Sequence, residues 1–430
     1  MPIRQPLPDL KSLPKTFDLR NMINKLSSRF LALQSAYSKD FIKFAFGFFT
    51  TSFIALFTSI IVNKNLNQEN LGKLTYYKSL LELLSYVFTL VLYRSYLRFN
   101  AKQVSEFTMR VVKAFSLFAV FALLFIAYFL TESIFSVLFA FFVFYEERLY
   151  FFRSIMATAK LNVLRIGASA ITLGSIIFIA YFYSLKSDLV LFAYGLGFLI
   201  TLFLLKSDFS SLETKEKEEV TLKKLLHFSL PAFGSMLIKV SQDFGSQFFI
   251  NAFFDFTQVS SFSIALRVLL AVKLFSSLLM MYYPSIYFRE IQNKNKAFIS
   301  KLRLYMSTFM VLVCALAIVF ANQLYVLMGA SEYLKYVLFF RILVFSEFLF
   351  ITGGFFGIYL SYILKTYISM VVFFISAVVN ILILVVFLET YGVIVAALGI
   401  LVANIFIFLF HIMYTRRLEN EFLNRAEGIV

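Results

Sequence analysis

The chain has 430 residues, 60% of them hydrophobic and 15% charged, and carries a formal net charge of +16. Apolar runs of about 20 residues recur from about residue 40 to about residue 414, which points to an all-α polytopic membrane protein and excludes a β-barrel, whose strands alternate over about 10. The basic excess reads as the positive-inside bias of membrane loops rather than as a nucleic-acid surface, and the single Cys314, inside an apolar run, excludes an intrachain disulfide.

Residues 1–38 hold Pro2, Pro6, Pro8 and Pro14. A basic amphipathic stretch follows, in which Leu19, Met22, Ile23, Leu26, Phe30 and Leu33 keep helical spacing while Arg20, Lys25 and Arg29 avoid that face. It is expected to lie on the cytoplasmic membrane surface, and it is too charged and interrupted for a cleaved signal peptide. About twelve spans are predicted, near 40–62, 75–97, 110–131, 133–152, 163–183, 189–206, 227–250, 260–284, 303–322, 336–360, 367–388 and 391–414. Most Lys and Arg then fall on the side of the N-terminus, which predicts both termini inside. The outer loops are short and leave no room for an extracytoplasmic catalytic domain.

The longest internal connection, 206–224, is a charged run with Glu213, Lys215, Glu216, Lys217, Glu218 and Glu219, and it divides the spans six and six. The expected organisation is an N-terminal segment 1–38, a six-helix bundle over 39–206, a linker over 207–225, a second six-helix bundle over 226–415 and a cytoplasmic tail over 416–430. A weak repeat supports the division: Leu66-Asn67-Gln68-Glu69-Asn70-Leu71-Gly72 follows the first span as Phe254-Asp255-Phe256-Thr257-Gln258-Val259-Ser260 follows the seventh. A duplicated plan with substrate between the halves is common among transporters, and a single bundle without that symmetry is the alternative.

The seventh predicted span carries Ser235, Lys239, Asp243, Gln247 and Asn251 at a spacing of four, so they wind along one side of a helix. A charge at mid-bilayer costs roughly 2.5 to 3.5 kcal/mol on insertion scales, so Lys239 and Asp243 are expected to line a protein-buried or watered pathway. Glu82, Arg267, Lys273 and Glu347 are also deep in predicted spans, with Arg341 in the tenth, whereas Glu146, Glu147 and Arg148 are placed within snorkelling reach of the cytoplasmic interface. Lys239, Arg267, Lys273 and Arg341 together would favour an anion, since a guanidinium offers paired donors to phosphate oxygens. The competing reading is that each only neutralises a buried acid. Asp243, Glu82 and Glu347 are the candidates for carrying a coupling proton or cation. Pro231 and Pro284 each remove a backbone donor, and either act as hinges or mark static kinks.

The absence of a Gly-x-x-x-x-Gly-Lys-Ser/Thr loop leaves no ATP site in the chain, and two distant histidines with one cysteine give no evident metal or haem ligand set, so no cofactor or metal is expected.

Phe228-Ser229-Leu230-Pro231, Ser241-Gln242-Asp243 with Phe248-Phe249-Ile250, Tyr283-Pro284, Gly329-Ala330-Ser331-Glu332-Tyr333, Asn380 and Tyr391-Gly392-Val393 stand in order with the first-half motif at Leu66 to Gly72. In this order and spacing the chain resembles the Wzx-type lipid-linked oligosaccharide flippases, the polysaccharide biosynthesis proteins of the multidrug/oligosaccharidyl-lipid/polysaccharide (MOP) exporter superfamily. Ser260, where that family repeats the glycine seen at Gly72, and Val395-Ala396-Ala397 depart from its pattern. The resemblance implies two six-helix bundles around a central cavity. It also implies alternating access and transfer of an undecaprenyl-diphosphate-linked O-antigen-type repeat unit to the outer leaflet of a bacterial cytoplasmic membrane. Implied partners are the lipid-linked glycan, membrane lipids, H+ or Na+, and the polysaccharide polymerase and chain-length proteins. A cation-coupled multidrug exporter of the same superfamily and a membrane enzyme acting on lipid-linked sugars are the alternatives, and no enzymatic activity is expected.

Overall fold

The computed structural model describes residues 43–96, 104–155, 157–205, 221–363 and 365–427. The amphipathic stretch within 1–42 and the charged linker within 206–220 lie outside the described residues, as do some side chains within 227–244 and 281–292, those of Lys239 and Asp243 among them. By its contacts the chain divides into Met1–Phe46 and Gly47–Val430, and the described part of the first, 43–46, is helical.

Fourteen helices are described: α1 (Lys43–Asn65), α2 (Gln68–Thr89), α3 (Glu106–Thr131), α4 (Phe142–Ser154), α5 (Thr158–Phe182), α6 (Ser187–Leu204), α7 (Leu222–Phe253), α8 (Phe256–Gln292), α9 (Lys296–Val319), α10 (Ala321–Leu327), α11 (Val337–Tyr362), α12 (Thr366–Tyr391), α13 (Ile394–Phe410) and α14 (Arg416–Glu427). Short 3-10 turns, Leu92–Ser95, Ile134–Phe141 and Ser331–Tyr336, and a π-turn at His411–Thr415 join some of them. No strand occurs among the described residues. Eight segments are long and apolar enough to cross a membrane: α1, α3, α5, α6, the Phe256–Met280 part of α8, α9, α12 and the run Ile394–Leu423. The other four predicted spans coincide with α2, the pair Ile134–Phe141 and α4, α7, and α11. Each of these four carries at least two of the charges singled out from the sequence, so charge and membrane depth compete in them.

The helices turn many large apolar side chains outward. On α12, Val371, Phe374, Ile375, Val378, Leu382 and Val385 are exposed, while Val372, Ser376, Ala377, Asn380, Leu384 and Leu388 are buried against α7 and α13. Lipid solvates the large apolar face as well as a protein core does, so small and polar residues take the helix contacts. Gly72 shows the limit of this. It lets α2 approach the Phe256 backbone of α8 so closely that an added Cβ would overlap the carbonyl oxygen and lie 2.8 Å from its carbon.

The two copies of the sequence repeat open their helices in the same way. Asn67 Oδ1 accepts from the Asn70 amide at 2.8 Å to cap α2, and Asp255 Oδ1 accepts from the Gln258 amide at 2.8 Å at the start of α8. Ser260, the residue that departs from the repeat, is fully buried, and its hydroxyl donates to the Thr257 carbonyl at 2.6 Å.

Two expectations about boundaries are corrected. The second predicted span, 75–97, begins at Gln68 and stops at Thr89, because Leu90 and Val91 take left-handed φ values of 48° and 50° before the turn Leu92–Ser95. The eighth, 260–284, is a 37-residue helix, about 55 Å long, which outreaches a hydrocarbon layer of about 30 Å. Pro231 and Pro284 both lie inside helices that continue past them. After 415 the chain forms α14, with Leu423 2% exposed and the Phe422 ring beside those of Tyr359 and Tyr362.

Candidate functional site

Arg267 is the best-defined of the candidate residues. It sits in the fourth turn of α8, where its Nη1 donates to Asn63 Oδ1 at 2.8 Å and its Nη2 to Thr75 Oγ1 at 3.1 Å. Asn63 closes α1 and Thr75 lies two turns into α2, so one guanidinium joins a helix of the second predicted half to two helices of the first. Asn63 is itself held, donating through Nδ2 to the Met328 carbonyl at 3.1 Å. Gly329 then turns the chain with a φ of +67°, a left-handed conformation that an L side chain adopts only at a cost. Both acceptors of Arg267 are neutral, and among the described residues no carboxylate pairs with it. Two of its five N–H groups are engaged, and three remain.

Lys78 follows Thr75 by one turn on α2 and does have an acid. Its Nζ lies 3.8 Å from Glu82 Oε1, both side chains about one-third exposed, and 4.6 Å from the centre of the Tyr194 ring on α6. Glu82 is therefore a paired carboxylate, as the i,i+4 spacing predicts.

Glu347 differs. It is 7% exposed on α11, its Oε1 accepts from Ser276 Oγ of α8 at 2.9 Å, and among the described residues no cation pairs with it. Its one described hydrogen-bond partner is thus a neutral hydroxyl. Lys273 lies one turn before Ser276 and is half-buried. Arg341 is exposed in the second turn of α11, on the same face as Leu338 and Phe345, which are 53% and 48% exposed. Leu338 and Phe345 make that face apolar, and Glu347 lies on the opposite one. The backbone at Lys239 and Asp243 is helical, and their side chains lie outside the described residues. Of the nine candidates, the structure thus brings Lys78's partner Glu82 near Arg267's helix contacts and sets Glu347 against α8.

Two clusters were not read from the sequence. Glu147, placed there at the interface, is 5% exposed inside the protein, and Arg148 Nη1 donates to the Leu205 carbonyl at 2.8 Å. Arg303 and Glu419 form an ion pair with side chains 10% and 3% exposed, Nη2 lying 3.0 and 2.9 Å from the two carboxylate oxygens. A separation of 116 residues hides that pair from any local pattern.

No protein-family model matches the chain, and no curated protein matches it in sequence. Solved structures do match in shape. An inward-facing conformation of a multidrug resistance MATE family transporter of the MOP superfamily aligns with a TM-score of 0.69 at 14% identity, over 86% of this chain and 95% of that one. An outward-facing conformation of such a transporter gives 0.63 at 14% identity, over 89% and 96%. The lipid II flippase MurJ in an inward closed conformation gives 0.63 at 15% identity, over 87% of each chain. The chain accordingly has the all-α polytopic fold of these MOP-superfamily transporters, and it is an integral membrane protein.

Proposed function

We propose that this protein is a flippase that moves undecaprenyl-diphosphate-linked oligosaccharide repeat units from the cytoplasmic to the outer leaflet of a bacterial inner membrane by alternating access, with N- and C-termini inside. The observation that carries the reading is Arg267, a guanidinium with no described acid and with three N–H groups to spare. A diphosphate offers the paired oxygens that such a group takes best, and in this reading Lys239 and Lys273 add positive charge for the same anion. A cationic drug would be repelled by it.

In this mechanism the diphosphate competes with Asn63 and Thr75 for Arg267. Engaging the substrate loosens the tie between α8 and the α1–α2 pair, so the ligand favours the opposite state through its differential affinity. Protons or sodium exchanging at Glu347, with Asp243 and Glu82 as the further candidates, reset the carrier by antiport. Pro231 and Pro284, each lacking a backbone N–H, are the hinges at which α7 and α8 bend in this mechanism. The protein carries out no covalent chemistry. The released repeat units pass to the polysaccharide polymerase and chain-length proteins.

The test is transfer of a labelled lipid-diphosphate glycan between leaflets of sealed proteoliposomes, with and without a proton gradient, for the wild type, Arg267→Lys and Arg267→Ala. Gradient-stimulated transfer that is weakened in Arg267→Lys and lost in Arg267→Ala is expected. Absence of transfer for every lipid-linked glycan, with efflux of a cationic dye instead, overturns the reading in favour of a cation-coupled multidrug exporter.

A further inference from the structure

The network around Arg303 and Glu419 takes no part in that mechanism, yet it is the most completely bonded polar cluster among the described residues. Tyr287 donates its hydroxyl to Glu419 Oε1 at 2.8 Å, and Arg303 adds both contacts of its Nη2. Arg303 Nε donates to the Tyr283 oxygen at 3.3 Å, and the Tyr283 hydroxyl donates to the Phe355 carbonyl at 3.1 Å. The guanidinium also lies 4.3 Å from the centre of the Phe356 ring. These atoms belong to α8, α9, α11 and α14. A carboxylate contributed by the last helix of the chain thus closes a knot that joins three others.

Its position on α8 gives the knot its meaning. Tyr283 and Tyr287 flank Pro284, the point where α8 lacks a backbone hydrogen bond. Tyr287 follows Arg267 by twenty residues of one helix, about 30 Å away, so the two ties hold opposite ends of the same rod. Helix α14 is seated by more than the ion pair, since Leu423 is buried and Phe422 packs on Tyr359 and Tyr362 of α11, at 6.2 and 6.1 Å between ring centres. A bend at Pro284 moves Tyr287 relative to Tyr283, so it must break the bond of Tyr283 to α11 or that of Tyr287 to α14.

The geometry points to a strap: the C-terminal helix α14, through Glu419, clamps the Pro284 segment of α8 to α9 and α11 and must release it for α8 to bend. Transport rate is thereby set by a residue that does not touch the cargo. The strap is independent of what the protein carries, and its decisive test needs no substrate.

Hydrogen exchange at the amides of 285–292 is measured in lipid nanodiscs for the wild type, Tyr287→Phe and Glu419→Gln, with the amides of α12 as internal control. Tyr287→Phe removes one bond to a charged acceptor and is expected to speed exchange in that segment by about tenfold. Glu419→Gln strips Arg303 of its counter-charge and is expected to speed it by about a hundredfold. Exchange in α12 should stay unchanged in both. Wild-type exchange in 285–292 for a folded Tyr287→Phe protein overturns the strap, and so does a rise shared equally by α12, which would mean global loosening. Should Glu419→Gln fail to fold, Tyr287→Phe decides alone, because it leaves the Arg303 and Glu419 pair in place. If the segment loosens while no lipid-linked glycan is moved, the strap stands and the proposed cargo does not.

Discussion

Substituting Gly72 by alanine tests whether the contact between α2 and α8 holds one end of the protein shut. A Cβ at this position would overlap the Phe256 carbonyl oxygen and lie 2.8 Å from its carbon, whereas ordinary contacts begin at 3.4 Å. The obstacle is backbone, not a flexible side chain, so the two helices must separate by more than half an ångström. Overpacking of this kind costs about 1 to 3 kcal/mol. The cost falls on the state in which α2 and α8 touch, so the ratio of open to closed molecules should rise by about 5- to 150-fold. The assay is labelling of a Thr75→Cys reporter by a membrane-impermeant maleimide in intact cells, with and without Gly72→Ala. Thr75 accepts from Arg267 where α2 and α8 touch, and the only native thiol, Cys314, is buried. Equal labelling rates in the two backgrounds would refute the closure argument, and faster labelling with Gly72→Ala is the expected result.

Glu347→Gln should abolish stimulation of transfer by an ion gradient while leaving the fold intact, because the amide oxygen can still accept from Ser276; unchanged stimulation excludes Glu347 as the coupling group. Gly399→Ala should lower stability by about 1 to 3 kcal/mol in thermal unfolding, because its Cβ would overlap Asn380 Oδ1, and the loss should shrink in an Asn380→Ala background. The Lys78 and Glu82 pair, with side chains 35% and 30% exposed, should show a coupling of only about 0.3 to 0.5 kcal/mol in a double-mutant cycle.

The i,i+4 relation of Lys78 and Glu82 was legible in the sequence, since it is set within one turn of chain. The placement of Arg341 was not. Its depth in a predicted span said nothing about which face it occupies, and that face was decided by Leu338 and Phe345 turning outward with it. Glu147 was misplaced for the converse reason: nearness to a span end was taken for exposure, but α4 is a short helix packed against α5 and α6, and the residue is enclosed.

By itself the sequence determined the all-α membrane class and the approximate spans, because apolar run length is a local property that the bilayer reads directly. Only the tertiary structure decided that Arg267 binds Asn63 and Thr75 and not an acid, that Glu347 has a serine for company, and that the tail returns to close on Arg303. Those choices turn on the rotation of each helix about its axis and on contacts between residues as many as 204 apart, which no periodicity records.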